Sequence, residues 1–296
     1  MAAKIIVNEI GNPLEKPLKE LFSRLNILNG LLFHLESQLN TFKNLFEEMI
    51  RGSRELSSIF AGTSLVIRDL TEFSPHGWAV CYSTGKFFSR GEEYLRITDE
   101  LLERESAWTI SEGYEAFETF LKDITSHFLL VANQKADSQK LKRIGPRLAQ
   151  RQLEPTNLEY WRTFIRQAYR NNVNLIEYIR KLGPELEDAE KRNNRAIDLF
   201  EWYLVAEEVR HAVTHSNMII KNERMAFWTE IKIKLLNQFF PGHRTDAGYA
   251  LRIDRDNANN NLVLFCEYGF TVFKSLSKAN NYYWNILKNN GGQNPA

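Results

Sequence analysis

Residues 155–184 read Pro-Thr-Asn-Leu-Glu-Tyr-Trp-Arg-Thr-Phe-Ile-Arg-Gln-Ala-Tyr-Arg-Asn-Asn-Val-Asn-Leu-Ile-Glu-Tyr-Ile-Arg-Lys-Leu-Gly-Pro. Thr156 and Glu159 stand at the spacing of a capping box, where a hydroxyl and a carboxylate satisfy two orphan backbone N–H groups at a helix start. Leu158, Trp161, Ile165, Ala168, Leu175, Ile179 and Leu182 then recur near the 3.6-residue helical period, and Gly183-Pro184 stops the run. This stretch predicts one long amphipathic helix with a single buried stripe. A chain that repeats the pattern several times has to pack helix against helix, so the expected class is all-α.

The pattern does repeat. Residues 14–50 carry Leu18, Leu21, Phe22, Leu25, Leu28, Leu32, Leu35, Leu39, Phe42, Leu45, Phe46 and Met49 at helical spacing, ending at Gly52-Ser53. Between Gly62 and Gly91 the period fades, and Ser74-Pro75-His76-Gly77 and Ser83-Thr84-Gly85 are turn signals. That region is compatible with a short helix, a loop or a hairpin around Trp78 to Tyr82. Helical patterning returns at Glu92 and runs through acidic residues to Glu105. Thr109-Ile110-Ser111-Glu112 is a further capping box, predicted to open a helix burying Tyr114, Phe117, Phe120, Leu121, Ile124 and Phe128. Residues 135–152, basic and containing Gly145-Pro146, read as a loop or a short broken helix. Helices are predicted from about Glu185 into the 210 region, from about Glu223 to Phe239, and from Glu267 to Leu287. Asp254 to Asn261 reads as a polar turn inside a small hairpin near 248–266. The division expected is a helical N-terminal region (1–107), a helical bundle (108–289) and a disordered tail (290–296).

Composition limits the function. The 296 residues suffice for a substantial core, with 43% hydrophobic and 25% charged residues in ordinary globular proportion. A formal net charge of +1 argues against coating nucleic acid by bulk electrostatics and leaves room for a local basic patch. Cys81 and Cys266 are expected as buried reduced thiols, with one disulfide left open; without a Cys-x-x-Cys pair, a cysteine zinc site is excluded. The first ten residues carry too short an apolar run for a signal peptide, and no stretch approaches the ~20 apolar residues of a membrane span. A cytoplasmic protein with no membrane association is expected. Walker loops, Gly-x-Gly-x-x-Gly and serine-nucleophile elbows do not occur, which removes the common nucleotide and acyl-transfer chemistries.

The chemistry-bearing stretch is residues 207–217, Glu-Glu-Val-Arg-His-Ala-Val-Thr-His-Ser-Asn. Arg210 is a permanent cation that suits a phosphate oxyanion at any working pH. His211 and His215 are groups that exchange protons near neutrality. These types suffice for acid–base cleavage of RNA, whose own 2′-hydroxyl is the nucleophile, without a metal or other cofactor. Five residues turn an ideal helix by about 500°, so Arg210 and His215 point roughly 140° apart. They meet at one phosphate only if the helix ends or bends near Thr214 to Asn217, or if a second copy of the chain supplies one of them. The plainer reading is a surface or capping arginine beside a satisfied core histidine.

Arg210 to His215 resembles the signature of HEPN domains, an Arg-x4-6-His motif with a polar residue, here His211, directly after the arginine. Glu207-Glu208-Val209, Ser216-Asn217 and the upstream Gly113 to Leu121 also resemble that family, over roughly residues 110–288. The resemblance implies a four- or five-helix bundle, a homodimer with two facing motifs, and metal-independent endoribonuclease activity. His215 would be the general base on the 2′-hydroxyl, and Arg210 would stabilise the phosphorane-like transition state. His211 would hold the phosphate or protonate the leaving 5′-oxygen, and the products would carry 2′,3′-cyclic phosphate ends. Neighbouring Arg210 is expected to lower the histidine pKa values. A role as a toxin or phage-defence effector follows from where the family is widespread, with an antitoxin or regulatory protein as a further partner. The alternative is a non-catalytic HEPN-like module that binds RNA, nucleotide or a protein.

Two other patterns compete for attention. Glu208, His211 and His215 share a helix face that suits a metal, yet a di-iron bundle needs a second Glu-x-x-His and a metalloprotease needs Glu where Ala212 stands; no metal is expected. Lys140, Lys142, Arg143, Arg147 and Arg151 crowd one segment beside Lys135. Arg162, Arg166 and Arg170 follow at every fourth residue as a predicted ridge. The plain reading is a solvated surface; the functional one is a patch that neutralises RNA phosphates without choosing sequence. Trp161 belongs to the buried stripe and needs no base-stacking role. His34 reads as structural, and His76, His127 and His243 have no partner motif.

Overall fold

Asn261 closes the segment, Asp254 to Asn261, that reads as a polar turn, yet its side chain is fully buried. It accepts a hydrogen bond from Trp202 Nε1 at 3.1 Å and donates to the carbonyls of Phe239 and Asn257 at 2.9 and 2.8 Å. Those bonds hold together three of the helices that form the protein's main unit. The computed structural model describes residues 11–52, 60–61, 66–73, 79–83, 88–89 and 91–285. The expectations for the N-terminal run, the Ser74–Gly77 turn and the tail 290–296 lie outside the described residues. Among the described residues the fold is mainly helical, as expected: α1 (Glu15–Gly52), α2 (Gly91–Val131), α3 (Ser138–Gln150), α4 (Leu158–Ala168), α5 (Asn172–Leu182), α6 (Leu186–Lys191), α7 (Leu199–His215), α8 (Asn222–Met225), α9 (Glu230–Phe239) and α10 (Arg255–Ala279).

The chain divides into two units, Met1–Leu31 with Ser106–Ala296, and Leu32–Glu105. Residues 11–31 thus group with the C-terminal helices, and the boundary between the units falls inside α1. Leu14, just before α1, and Leu18, Leu21 and Leu25 of α1 are buried there, and a Cβ added to Gly269 of α10 would stand 2.5 Å from Leu21 Cδ2. In the smaller unit, β1 (Phe60–Ala61) pairs antiparallel with β4 (Phe88–Ser89), and β2 (Val66–Phe73) with β3 (Ala79–Ser83). The segment with faded periodicity therefore forms a hairpin, and the N-terminal region is not purely helical. His34 is exposed on α1 and bonds Gln38 at 2.9 Å, so it is not a core residue.

Asparagine and aspartate side chains decide where the helices of the larger unit begin. The stretch 158–182 is two helices, because Asn171 accepts the Val173 N–H at 2.7 Å and starts α5 afresh. The cap of α4 is Asn157 rather than Thr156. Thr109 to Glu112 lies inside α2, a single helix of 41 residues, so that capping box starts nothing. Residues 138–150 form a continuous helix around Pro146, capped by Asp137, where a loop or a short broken helix was expected. A helix from Glu185 to 210 is interrupted at 192–198, where Asn193 donates to the carbonyls of Glu190 and Ile197 and Asp198 caps α7. Thr229 likewise caps α9, separating it from the short α8.

The small sheet is β5 (Ile219–Lys221), β7 (Gly248–Leu251) and β6 (Gly242–Thr245), in that spatial order and antiparallel. A small hairpin is present, but at 242–251 rather than across 248–266: β7 pairs with β6, residues 262–266 are helical, and Asp254 to Asn261 opens α10 instead of turning between strands. Asp254 accepts the Asn257 N–H at 2.8 Å as the cap of that helix. In the core, Tyr114 and Tyr203 stack at 4.9 Å and Phe117 lies against Tyr203 and Phe265. Glu190 is fully buried, 2.7 Å from Arg180 Nε and bonded to the Tyr268 hydroxyl. Burial pushes its carboxyl up, against the Tyr268 hydroxyl and the Arg180 guanidinium, which draw it down.

Candidate functional site

Helix α7 carries the Arg-His-x-x-x-His stretch, and its inner face explains its direction. Leu199, Trp202, Tyr203, Val205, Ala206, Val209, Ala212 and Val213 are buried at helical spacing. Glu208, His211 and His215 are left on one outer stripe and Arg210 on another. The helix runs unbroken to His215, so Arg210 and His215 remain roughly 140° apart around its axis. Within one chain they do not converge.

The end of α7 is sharply made. Asn217 and Met218 take φ values of 49° and 64°, both in the left-handed region, and the Met218 N–H reaches back to the Ala212 carbonyl at 3.0 Å. The reversal sends the chain into β5, and α8 returns Arg224 to α7. Arg224 Nε forms an ion pair with Glu208 Oε2 at 2.7 Å. The rings of His211 and His215 lie 5.0 Å apart, tilted by 54°. His211 is half-buried and His215 exposed. Burial first, then Arg224, and only then His215 and Arg210, lower the His211 pKa below the ordinary imidazole value, against Glu208. The neutral ring is favoured there.

Arg210 turns the other way. Its Nη2 donates to Glu115 Oε1 of α2 at 3.0 Å, while its Nε is buried without a partner. On the buried face of α7, Tyr203 stacks on Tyr114, whose hydroxyl accepts from Asn172 Nδ2 at 3.1 Å. Burial, then Glu208 and Glu118, raise the Glu207 carboxyl. Glu115 and Arg224 are the participants that sequence did not reveal. They carry no motif of their own and lie 95 and 14 residues from Arg210.

The basic residues separate into three settings. Lys140, Arg143 and Arg147 of α3 and Arg151, which caps its C-terminus, follow one line at spacings of three, four and four, whereas exposed Lys142 lies off it. Arg162 is taken up by Asp123 at 3.0 Å, Arg166 is exposed, and Arg170 falls beyond the end of α4. The predicted ridge of three arginines is therefore interrupted by the break between α4 and α5. Trp161 is buried, its Nε1 donating to the Pro155 carbonyl at 2.8 Å. Cys266 is a half-buried free thiol, pushed up to about 11 by burial. Among the described residues no group of three or more His, Cys, Asp or Glu is placed to hold a metal ion, and no helix is long and apolar enough to cross a membrane.

Comparison finds no family model, no curated protein and no solved structure that matches the chain. The functional reading therefore rests on the residues at the end of α7.

Proposed function

We propose that the protein is a metal-independent endoribonuclease of HEPN type, acting as a homodimer in which each cleavage uses Arg210 of one chain and His215 of its partner. The observation that carries this is the accessible imidazole pair, His211 and His215, at 5.0 Å on the last turns of α7, on the same helix as Arg210. His215 is exposed and stands as the general base on the 2′-hydroxyl. His211, half-buried, holds the phosphate or protonates the leaving 5′-oxygen. Arg210 meets the charge that develops on the phosphorane oxygens, where an aimed cation is worth a few kcal/mol, or on the order of a hundredfold in rate. Its ion pair with Glu115 is partly exposed on both sides, at 34% and 52%. Such a pair is worth about 0–1 kcal/mol, so an RNA phosphate can displace it. Membership in that family, a role as a toxin or phage-defence effector, and an antitoxin partner belong to the same proposal.

Purified protein should cleave single-stranded RNA in the presence of EDTA and leave 2′,3′-cyclic phosphate ends. Arg210→Ala and His215→Ala should each lower cleavage at least about a hundredfold with the fold intact. Cleavage that persists in either variant, or that requires a divalent cation, overturns the mechanism. A second reading, a module that binds RNA, nucleotide or protein without cleaving, draws on the same Arg210–Glu115 pair, which neutralises the arginine within its own chain. Absence of cleavage with retained RNA binding decides for it.

A further inference from the structure

A cavity of about 870 Å³ opens between the start of α3, the α4–α5 junction, α5 and the end of α10, and it contains none of Arg210, His211 and His215. Its size is that of a small-molecule site. Three ammonium groups line it from three different elements. Lys135, at the end of a 3-10 turn (Asn133–Lys135), is fixed by two bonds, to the Ala279 carbonyl and Asn280 Oδ1, each 3.0 Å. An ammonium has three donors, so one remains for a ligand. Lys140 Nζ sits 3.4 Å from the centre of the Tyr169 ring. Lys181 comes from the last turn of α5. Among the described residues, neither Lys140 nor Lys181 is in ion-pair contact with a carboxylate.

The two carboxylates of the lining, Asp137 and Glu177, offset the three ammonium groups only in part. Asp137 accepts the N–H groups of Gln139 and Lys140 through one oxygen, Oδ1, at 3.1 and 3.0 Å, as the cap of α3. Glu177 is exposed on α5. Burial lowers the Lys140 pKa, with Arg143 and Lys181 adding to it and Asp137 opposing them. The walls are aromatic: Tyr169 stacks on Tyr178 at 4.7 Å, and the Tyr178 hydroxyl is satisfied by donating to the Lys135 carbonyl at 3.0 Å. The Tyr169 hydroxyl has no partner, although the residue is only 3% exposed. A buried hydroxyl without a partner is a standing penalty that a ligand oxygen would remove.

We propose that this cavity binds a small phosphate monoester, its phosphate held by Lys135, Lys140 and Lys181 and one of its oxygens reached by the Tyr169 hydroxyl. A dianion with several equivalent oxygens matches ammonium groups arriving from separate elements; a single carboxylate would leave most of that charge unmet. The ester's organic part lies along the apolar and aromatic wall. Such a ligand ties α3, α5 and the end of α10 together at one point, away from α7.

Titration calorimetry of the full chain at low ionic strength, with ribose 5-phosphate, inorganic phosphate and ribose as probes, tests this. Saturable binding of ribose 5-phosphate, weaker binding of phosphate and none of ribose are expected. Lys140→Gln combined with Lys181→Gln should weaken ribose 5-phosphate at least about tenfold, and Tyr169→Phe several-fold, since hydrogen bonds to charged groups carry roughly that weight. Lys181→Gln alone, at an exposed position, serves if the double variant does not fold. Absence of saturable binding, equal affinity for ribose, or affinity unchanged in the lysine variants overturns the assignment. A 5′-phosphorylated trinucleotide binding tighter than ribose 5-phosphate assigns the monoester to an RNA end; binding no tighter assigns it to a free metabolite.

Discussion

His127 and His211 are both held toward the neutral imidazole, His127 by burial and then by Arg162, His211 by burial and then by Arg224. A histidine whose pKa is lower in the folded than in the unfolded chain leaves the unfolded chain with more bound protons just below pH 6.5. Stability contributed in this way is intact above pH 6.5 and is lost as pH falls through the folded value. The carboxylates Glu190, buried, and Glu207, half-buried, are both raised and act in the opposite sense above pH 4.5, so the total slope is a balance. The histidine share is isolated by difference. His127→Gln should lose less stability than the parent between pH 7.5 and 5.5 in urea unfolding, and equal losses would remove His127 from the account. The site was legible to the same depth. Arg210, His211 and His215 are visible in the sequence because their chemistry depends on residue type and local spacing. What each faces is not visible: Glu115 reaches Arg210 across 95 residues, and Arg224 reaches Glu208 only because two consecutive left-handed residues reverse the chain.

Helices announce themselves through their apolar stripes, and their ends through capping side chains that carry a weaker signal. Residues 158–182 keep one stripe in phase across Tyr169 to Asn171, so periodicity alone runs two helices together. The same blindness turns Asp254 to Asn261 into a turn, because the count of asparagines conceals that Asn261 is a satisfied core residue. Thr109 to Glu112 fails for the reverse reason: a capping box stabilises a start only where the preceding residues leave the helix, and α2 runs straight through. Backbone demands at strand crossings are sharper. Gly248 in β7 has φ +152°, and a Cβ there would lie 2.1 Å from the Ile220 carbonyl oxygen of β5. Gly248→Ala should therefore destabilise by roughly 3 kcal/mol, combining a glycine-only conformation with a clash against backbone. Gly30, in the exposed middle of α1 with nothing within 4 Å of an added Cβ, gives the contrast. Gly30→Ala should stabilise by up to about 1 kcal/mol. Urea midpoints that shift alike in the two variants would contradict both accounts.

The division into units was hidden in the sequence, since α1 is a single uninterrupted pattern whose first half belongs with α10 and whose second half does not. What α7 does to the catalytic proposal is equally a matter of more than one chain. An unbroken helix keeps Arg210 and His215 about 140° apart, so the proposed cleavage needs each chain to complete the other. Arg210→Ala protein mixed with His215→Ala protein, under conditions that exchange subunits, puts an intact Arg210 opposite an intact His215 in every mixed dimer. Random exchange of equal amounts makes about half of the dimers mixed, each with one complete pairing. Cleavage should therefore appear on mixing two preparations that are each inactive, and it should fade per chain when wild-type protein is diluted below its dimer dissociation constant. If wild-type protein cleaves but the mixture stays inactive although both variants fold and exchange, Arg210 and His215 do not work across the dimer. The two groups would then act within one chain, which the straight course of α7 does not allow without a bend.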